Sequence, residues 1–444
     1  MLNKIYLKSP LLIQNMAITI YGAKMYYERF RGKIPEIYDN IDIINNELTS
    51  EQINKQEKRF KMLIAHCIKY VPYYKKYLNE SDLNNITTSN VKNYLPKLTK
   101  LDIIGNYNDL LSMDPKYKKN TLKLNTSGST GTPLNIISSY EARRLNYYFY
   151  ERILNKHKVS YRHKSTTFAG RVLCGKNEKD IARYDKFNNT QYLSAYHISY
   201  ENIFKYITAL NKWKPEFIDS YPSALVEIQQ LAIQKDLKLE FSPKFILTSA
   251  ETLNWKAREQ IESFFGCNVV DHYGCTEMAV SAFSFGGKYY VNPLCSVLEL
   301  EHLYDDSYSL IATGLLNYAM PLIRYEIGDC VTTGQPQVPY IFDKVEGRVD
   351  DVIITPEGRR VGRIDPAFKG VDGIELAQVV QEKINRINVK IVTNDKYFKI
   401  NNERLLIENI KNRTSHKMEV NITYHKKIEK EINGKFKSVL SNIK

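Results

Sequence analysis

Two stretches constrain the fold more than any others. The run FILTSAE at 245–251 and the run VVDHYGCTE at 269–277 both start apolar and end polar. A strand written that way is buried on both faces in mid-sheet and releases polar residues where it leaves the sheet. Helical patterns at 200–211 and 222–235, and a strand end at 168–171, alternate with these runs. The alternation predicts an α/β architecture whose site lies at the C-terminal ends of its strands. Candidate residues there are Ser249, Ala250 and Glu251 after one strand, and Asp271, His272, Tyr273, Thr276 and Glu277 at the end of the next. Arg171, His197 and Tyr221 occupy neighbouring segments.

A third stretch carries no core side chain at all. Residues 126–133, TSGSTGTP, are small residues or proline, with apolar Leu122 and Leu124 before them and an apolar run at 134–137 after. Glycines let successive backbone N–H groups turn toward one anion, and the hydroxyls of Thr126, Ser127, Ser129 and Thr130 beside Gly128 and Gly131 add donors. No Gly-Lys-Ser/Thr follows, so it is not a Walker loop. The same composition also describes a mobile linker.

Length and composition bound the rest. A chain of 444 residues, 43% hydrophobic and 25% charged, has room for two or three domains. It contains no uncharged apolar run of about 18 residues, so no membrane span is expected. Lys4 and Lys8 precede an apolar stretch, but Gln14 and Asn15 interrupt it and no cleavage site closes it, which is unlike a signal peptide. Six scattered cysteines without CxxC spacing read as reduced thiols of a cytoplasmic protein. The net charge of +14 is spread along a chain rich in lysine and tyrosine. No recognition-helix, zinc-finger or RNP signature accompanies it, so no nucleic-acid function is expected.

Near the N-terminus, Ser9 reads as an N-cap with Pro10 at the first helical position, opening a helix toward Arg31. Residues 1–33 hold six Lys/Arg against one Glu. Such a helix either packs on its own domain or makes peripheral contact with an anionic membrane surface. A second helix with an apolar stripe ends at Pro72, where Tyr70, Tyr73 and Tyr74 read as a helix-end plug. Thr99 starts another helix. Downstream, Arg324 and Asp329 follow an apolar strand; an Asp so placed can accept both hydroxyls of a ribose, or simply form a strand-edge ion pair. A boundary falls near 346–350, giving a large unit at 1–347 and a small α+β unit at 348–444. Residues 381–444 carry fifteen Lys/Arg against seven Asp/Glu, a balance suited to a lid over phosphates.

Taken in order, these segments resemble the adenylate-forming superfamily, within it the phenylacetate–CoA ligase group, and closest its capsule-biosynthesis, CapK-like members. The resemblance rests on TSGSTGTP at 126–133, YGCTE at 273–277, LIRYEIGD at 322–329, GRVD at 347–350 and the Gly434-Lys435 pair. Residues 56–74, SAYH at 194–197 and SYPSAL at 220–225 carry its CapK-like part. It implies a large N-terminal adenylation domain and a small mobile C-terminal domain. ATP and Mg²⁺ would be bound, with phosphates on 126–131, the metal on Glu277, the α-phosphate at Thr276 and the ribose on Asp329 with Arg348 in support. Residues 249–251 and 271–273 would frame the adenine, Tyr273 stacking on it. Arg171, His197 and Tyr221 would meet the acid. Lys435 would bridge ATP and carboxylate, then withdraw by rotation about Asp350.

Residues 278–290 contain neither Cys nor His, where some relatives hold a metal cluster, so no zinc is expected. Residues 353–363 read IITPEGRRVGR rather than the loop that many CoA-using relatives carry. The expected partners are therefore a small-molecule carboxylate and an acceptor that is either the thiol of CoA or an amine. The oligomeric state stays open, monomer or homodimer. A nucleotide-binding scaffold without catalysis, or an aryl-acid CoA ligase of catabolism, are the competing readings.

Overall fold

A computed structural model describes residues 6–35, 48–126, 134–169, 173–174, 180–251, 253, 255–304, 306–345, 353–361, 364–368, 370–393, 397, 399–426, 428, 439–441 and 443. Helix α1 is Leu11–Phe30 and α2 is Ser50–Tyr70, the latter opened by a capping box between Thr49 and Gln52. Helix α3, Lys100–Gly105, starts with Thr99 as N-cap. The tyrosine plug after α2 is real: Tyr74 is 1% exposed, donates to the Pro321 carbonyl at 2.9 Å and accepts from the Ile323 N–H at 3.0 Å.

The start of α1 differs from expectation by one residue. Pro10, not Ser9, is the N-cap, with extended ψ of 149°. Proline disfavours helical geometry at the residue before it, and Ser9 instead closes a preceding turn onto the Tyr6 carbonyl at 3.1 Å. Gln14 reaches back to donate to the Ser9 carbonyl at 2.8 Å.

A hairpin follows, β1 (Thr121–Asn125) with β2 (Asn135–Ser139), and then α4 (Tyr140–Lys156). The main sheet has nine strands. Its parallel middle is β8 (Val269–Gly274), β7 (Phe245–Ser249), β6 (Phe217–Ser220), β3 (Ser165–Ala169) and β5 (Thr190–Ser194), in that spatial order. Antiparallel β4 (Ala182–Asp185) closes one edge, while β9 (Ser281–Phe285), β10 (Lys288–Val291) and β14 (Ile341–Phe342) extend the other. Helices α5 (Ile203–Trp213), α6 (Pro222–Gln234) and α7 (Trp255–Phe265) cover one face, packing on Ile218, Ile246 and Val269. Helix α4 covers the other, on Phe217, Phe245, Leu247 and Val270. The alternation of strand residues between the two cores is why these strands read as continuous apolar runs.

A second sheet runs β11 (Ser296–Tyr304), β12 (Ser307–Gly314), β13 (Tyr325–Thr332) and β15 (Lys344–Val345). It shares a core with α2 and the hairpin. Asp329 thus lies inside a strand rather than after one; Gly328, at φ +82°, sits beside it where the β12–β13 register shifts. Residues 353–439 include a separate core around Ile387, Val389, Ile391, Leu406 and Val439, formed by α8 (Lys399–Arg413) on the sheet β20 (Glu419–Tyr424), β19 (Arg386–Thr393), β18 (Ile374–Lys383) and β21 (Val439–Ser441).

Helix α1 covers the exposed edge of β4, and does so with polar side chains. Asn15 Oδ1 accepts from the Tyr184 N–H at 2.9 Å and Thr19 Oγ1 from the Lys186 N–H at 3.1 Å, satisfying donors that an edge strand leaves open. Gln14 Oε1 accepts from Arg183 Nε at 2.6 Å, and that guanidinium is fully buried. Gly22 permits the contact: a Cβ there would sit 1.8 Å from Asp185 Oδ2, which Asn188 holds.

Candidate adenylation site

Parallel strands share one C-terminal edge, so the predicted segments after β5, β6, β7 and β8 emerge together. Ser220 lies opposite Thr248 and Ser249 opposite His272 in register. His197 follows β5, Tyr221 is the N-cap of α6, and Glu251 Oε2 accepts from the Ser223 N–H at 3.1 Å, tying the β7 loop to the start of that helix. His197 is half-buried, its Nδ1 3.6 Å from Cys174 Sγ.

Two tyrosines join this edge to the second sheet. Tyr273 donates to Asp329 Oδ2 at 2.8 Å, and Tyr325, at the start of β13, donates to Glu277 Oε1 at 3.1 Å. Two motifs separated by about fifty residues of chain thereby present their carboxylates at one seam. Thr276 is exposed beside them. The β1–β2 hairpin packs into the same core as Ala279 and Val280, and Ser138 Oγ lies 3.6 Å from Met278 Sδ. Three of the non-glycine residues at positive φ belong to these segments: Ala250 at 69°, Met278 at 57° and Arg324 at 55°. Each costs about 1 kcal/mol or more, and such strain gathers where geometry serves a site.

Some expectations need correction. Asp271 does not present its side chain to a ligand: it is 3% exposed, taking hydrogen bonds of 2.5 Å from both Thr248 and Tyr289. Burial pushes its carboxyl up to about 6, partly offset by those donors. Strand alternation is the reason, since β8 is covered on both faces and residue 271 points into one of them. His272 points into the other, stacked on Phe283 at 4.4 Å and hydrogen-bonded to Ser281 at 3.1 Å. Thr126 Oγ1 accepts from the Leu134 N–H at 2.9 Å, so it latches the base of its loop. Ser127, Gly128, Ser129, Thr130, Gly131, Arg171, Arg348, Asp350 and Lys435 lie outside the described residues.

His272 carries a test of this packing. Burial pushes its imidazole down to about 4. An unfolded histidine titrates near 6.5, so between those values the unfolded chain binds more protons and stability is lost as pH falls from about 6.5 toward about 4. Acidification from about pH 7 to about pH 5 should cost the protein about 1–2 kcal/mol more than it costs His272→Asn, measured by urea unfolding. Equal losses would show a solvated ring.

One residue escaped sequence reasoning. Asp219, at the end of β6, is raised to about 6 by burial, with Arg29 and a hydrogen bond from Tyr150 opposing the shift. The Arg29 guanidinium lies 4.4 Å over the Tyr147 ring. Only the fold brings a residue of α1 to α4 and β6. By contrast, a cleft of about 550 Å³, lined by Arg31, Lys116, Tyr117 and Arg144 among others, opens beside Asn120 and Ser139, at the other end of the hairpin from the Asn125–Asn135 pair.

Among the described residues, no three carboxylate, imidazole or thiol groups converge on a metal position. A magnesium ion carried by phosphates needs only one or two protein carboxylates. Glu277, half-buried and steadied by Tyr325, fits that need.

The architecture is that of the adenylate-forming ligases. 2-Hydroxyisobutyryl-CoA ligase, in complex with 2-HIB-AMP and CoA in the thioesterification state, superposes with a TM-score of 0.53 at 14% identity, over 90% of this chain and 95% of that one. The same ligase in the postadenylation state with R3-HIB-AMP gives a TM-score of 0.50 at 13% identity, over 93% and 94%. In sequence, residues 353–442 match the CapK C-terminal domain family. The whole chain is similar to Protein CapK of Staphylococcus aureus, 29% identical over 466 aligned residues covering 100% of both chains.

Proposed function

We propose that this protein is an ATP-dependent carboxylate ligase of the phenylacetate–CoA ligase-like type, acting in capsule or other surface polysaccharide biosynthesis. It forms an acyl-AMP and passes the acyl group to CoA or an amine. The observation that carries the reading is the seam at which Tyr273 holds Asp329 and Tyr325 holds Glu277. The similarity to Protein CapK supports the biological setting, and six cysteines that form no disulfide suit a reducing, cytoplasmic compartment.

In the first half-reaction a carboxylate oxygen attacks the α-phosphorus and the bond to the β-phosphate bridging oxygen breaks, releasing pyrophosphate. Two anions must approach, so positioning and charge neutralisation are the work of the site. Asp329 accepts the ribose hydroxyls, Thr276 donates to the α-phosphate, and Glu277 would hold Mg²⁺, which when bound would neutralise phosphate charge. Residues 127–131 hold the β- and γ-phosphates above the base that Thr126 latches, with Arg348 supporting the ribose contact. Lys435 bridges the reacting oxygens until rotation about Asp350 withdraws it. Ser249, Ala250, Glu251 and the ring of Tyr273 frame the adenine. In the second half-reaction the thiol or amine attacks the acyl carbon and AMP leaves. Arg171, His197, Tyr221 and the half-buried Asp219 favour an acid with polar substituents over a long alkyl chain.

ATP–pyrophosphate exchange across a panel of aryl, amino and uronic acids tests the first half-reaction. The expected result is exchange that requires both Mg²⁺ and one class of acid. Absence of exchange with every acid would contradict the reading and favour a non-catalytic scaffold.

A further inference from the structure

Helix α1 packs the wrong way round for an ordinary surface helix. Along its N-terminal half the inward face is polar: Asn15 and Thr19 accept from backbone N–H groups at the β4 edge, and Gln14 accepts from the Arg183 side chain. Tyr26 and Phe30, near its end, pack inward on Phe187 and Tyr161, but several large apolar residues before them are left outward. Leu12 is 76% exposed, Met16 58% and Ile20 64%, successive members of one i, i+4 row, with Ile13, Tyr21 and Tyr27 beside them. A row of large exposed apolar side chains of this length marks a surface that something covers.

The geometry points to an anionic lipid bilayer as that cover: we propose that α1 lies in the plane of a membrane interface. Charge selects this occupant. The row continues to Lys24, whose side chain is 69% exposed, and Lys8 is exposed just before the helix. Arg31 and Lys33 follow it, both exposed or partly so. The first turn holds no acid, and Glu28, 3.8 Å from Lys24, is the sole acidic residue of 1–33. Lysines at both ends of an apolar row suit anionic headgroups around buried acyl chains. They disfavour a second copy, because a two-fold pairing of the row on itself brings Lys8 against Lys24 of the other chain. Tyr21 and Tyr27 have the amphipathic rings that settle at headgroup depth. No helix among the described residues is long and apolar enough to cross a membrane, so α1 would lie on one leaflet. This binding would tether the ligase at a surface without altering its chemistry.

Co-sedimentation of the full chain with vesicles tests the proposal. Phosphatidylcholine vesicles containing about one third phosphatidylglycerol should bind it, and pure phosphatidylcholine vesicles should bind it at least about tenfold more weakly. The triple variant Leu12→Glu/Met16→Glu/Ile20→Glu should lose binding on the order of tenfold or more. Its far-UV spectrum and unfolding midpoint should be unchanged, because those side chains touch solvent. Lys8→Glu/Lys24→Glu should weaken binding, and so should raising salt from about 0.1 M to about 1 M. The proposal is overturned if the anionic vesicles do not bind the chain, or if the triple variant binds as well as the parent. It is also overturned if the parent forms a lipid-free dimer that the triple variant abolishes.

Discussion

Asp329→Ala should lower ATP–pyrophosphate exchange by on the order of 100-fold or more. A ribose held by two hydrogen bonds to a carboxylate loses about 1.5–3 kcal/mol for each bond removed. The loss should fall mainly on the KM for ATP, since the ribose does not react. Tyr273→Phe should lose only about tenfold, because it keeps the ring but removes the donor that orients Asp329 at 2.8 Å. The order of the two effects matters. A Tyr273→Phe loss larger than that of Asp329→Ala would mean that Tyr273, not the carboxylate, meets the nucleotide. Equal activity in both variants would remove Asp329 from the site.

Glu299→Ala should lower the unfolding free energy by about 3 kcal/mol, seen as a reduced urea midpoint at unchanged slope. Glu299 accepts from Arg324 Nε at 2.9 Å and from Nη2 at 2.9 Å, and the two side chains are only 22% and 11% exposed. Arg324 also donates to the Leu95 carbonyl, and its own carbonyl accepts from the Leu98 N–H at 2.9 Å. It therefore clamps the 95–98 segment onto the start of β13, two residues before Ile327 and Gly328 lead to Asp329. Removing the acid leaves a largely buried guanidinium without its counter-charge. A change below about 0.5 kcal/mol, the size of an ordinary surface substitution, would show that the pair is solvated and the clamp unimportant.

The class of the fold was legible because parallel strands buried on both faces write themselves as apolar runs with polar ends. The runs at 245–251 and 269–277 do so, and they delivered the edge on which Glu251 and Glu277 sit. Side-chain direction within those runs was not legible. Asp271 and His272 read as site residues because they are polar near a strand end. Yet both still lie inside the strand and find partners in the protein, Asp271 buried with Thr248 and Tyr289, His272 half-buried with Ser281. The tethers were also hidden, because Tyr273–Asp329 and Tyr325–Glu277 depend on how two sheets meet. In α1 the basic, partly apolar character was visible, but not which face would turn inward. That depended on β4 lying at the edge of the main sheet, a tertiary fact that no local pattern carries.

Mass-spectrometric capture of an acyl-adenylate tests the central claim most directly. Incubated with ATP, Mg²⁺ and a pool of small-molecule acids, the protein should retain a species whose mass equals AMP plus one acid less water, and Asp329→Ala should not accumulate it. Retention of unreacted ATP alone across the whole pool, with no adenylate in either protein, would contradict a ligase and leave a nucleotide-binding protein without this chemistry.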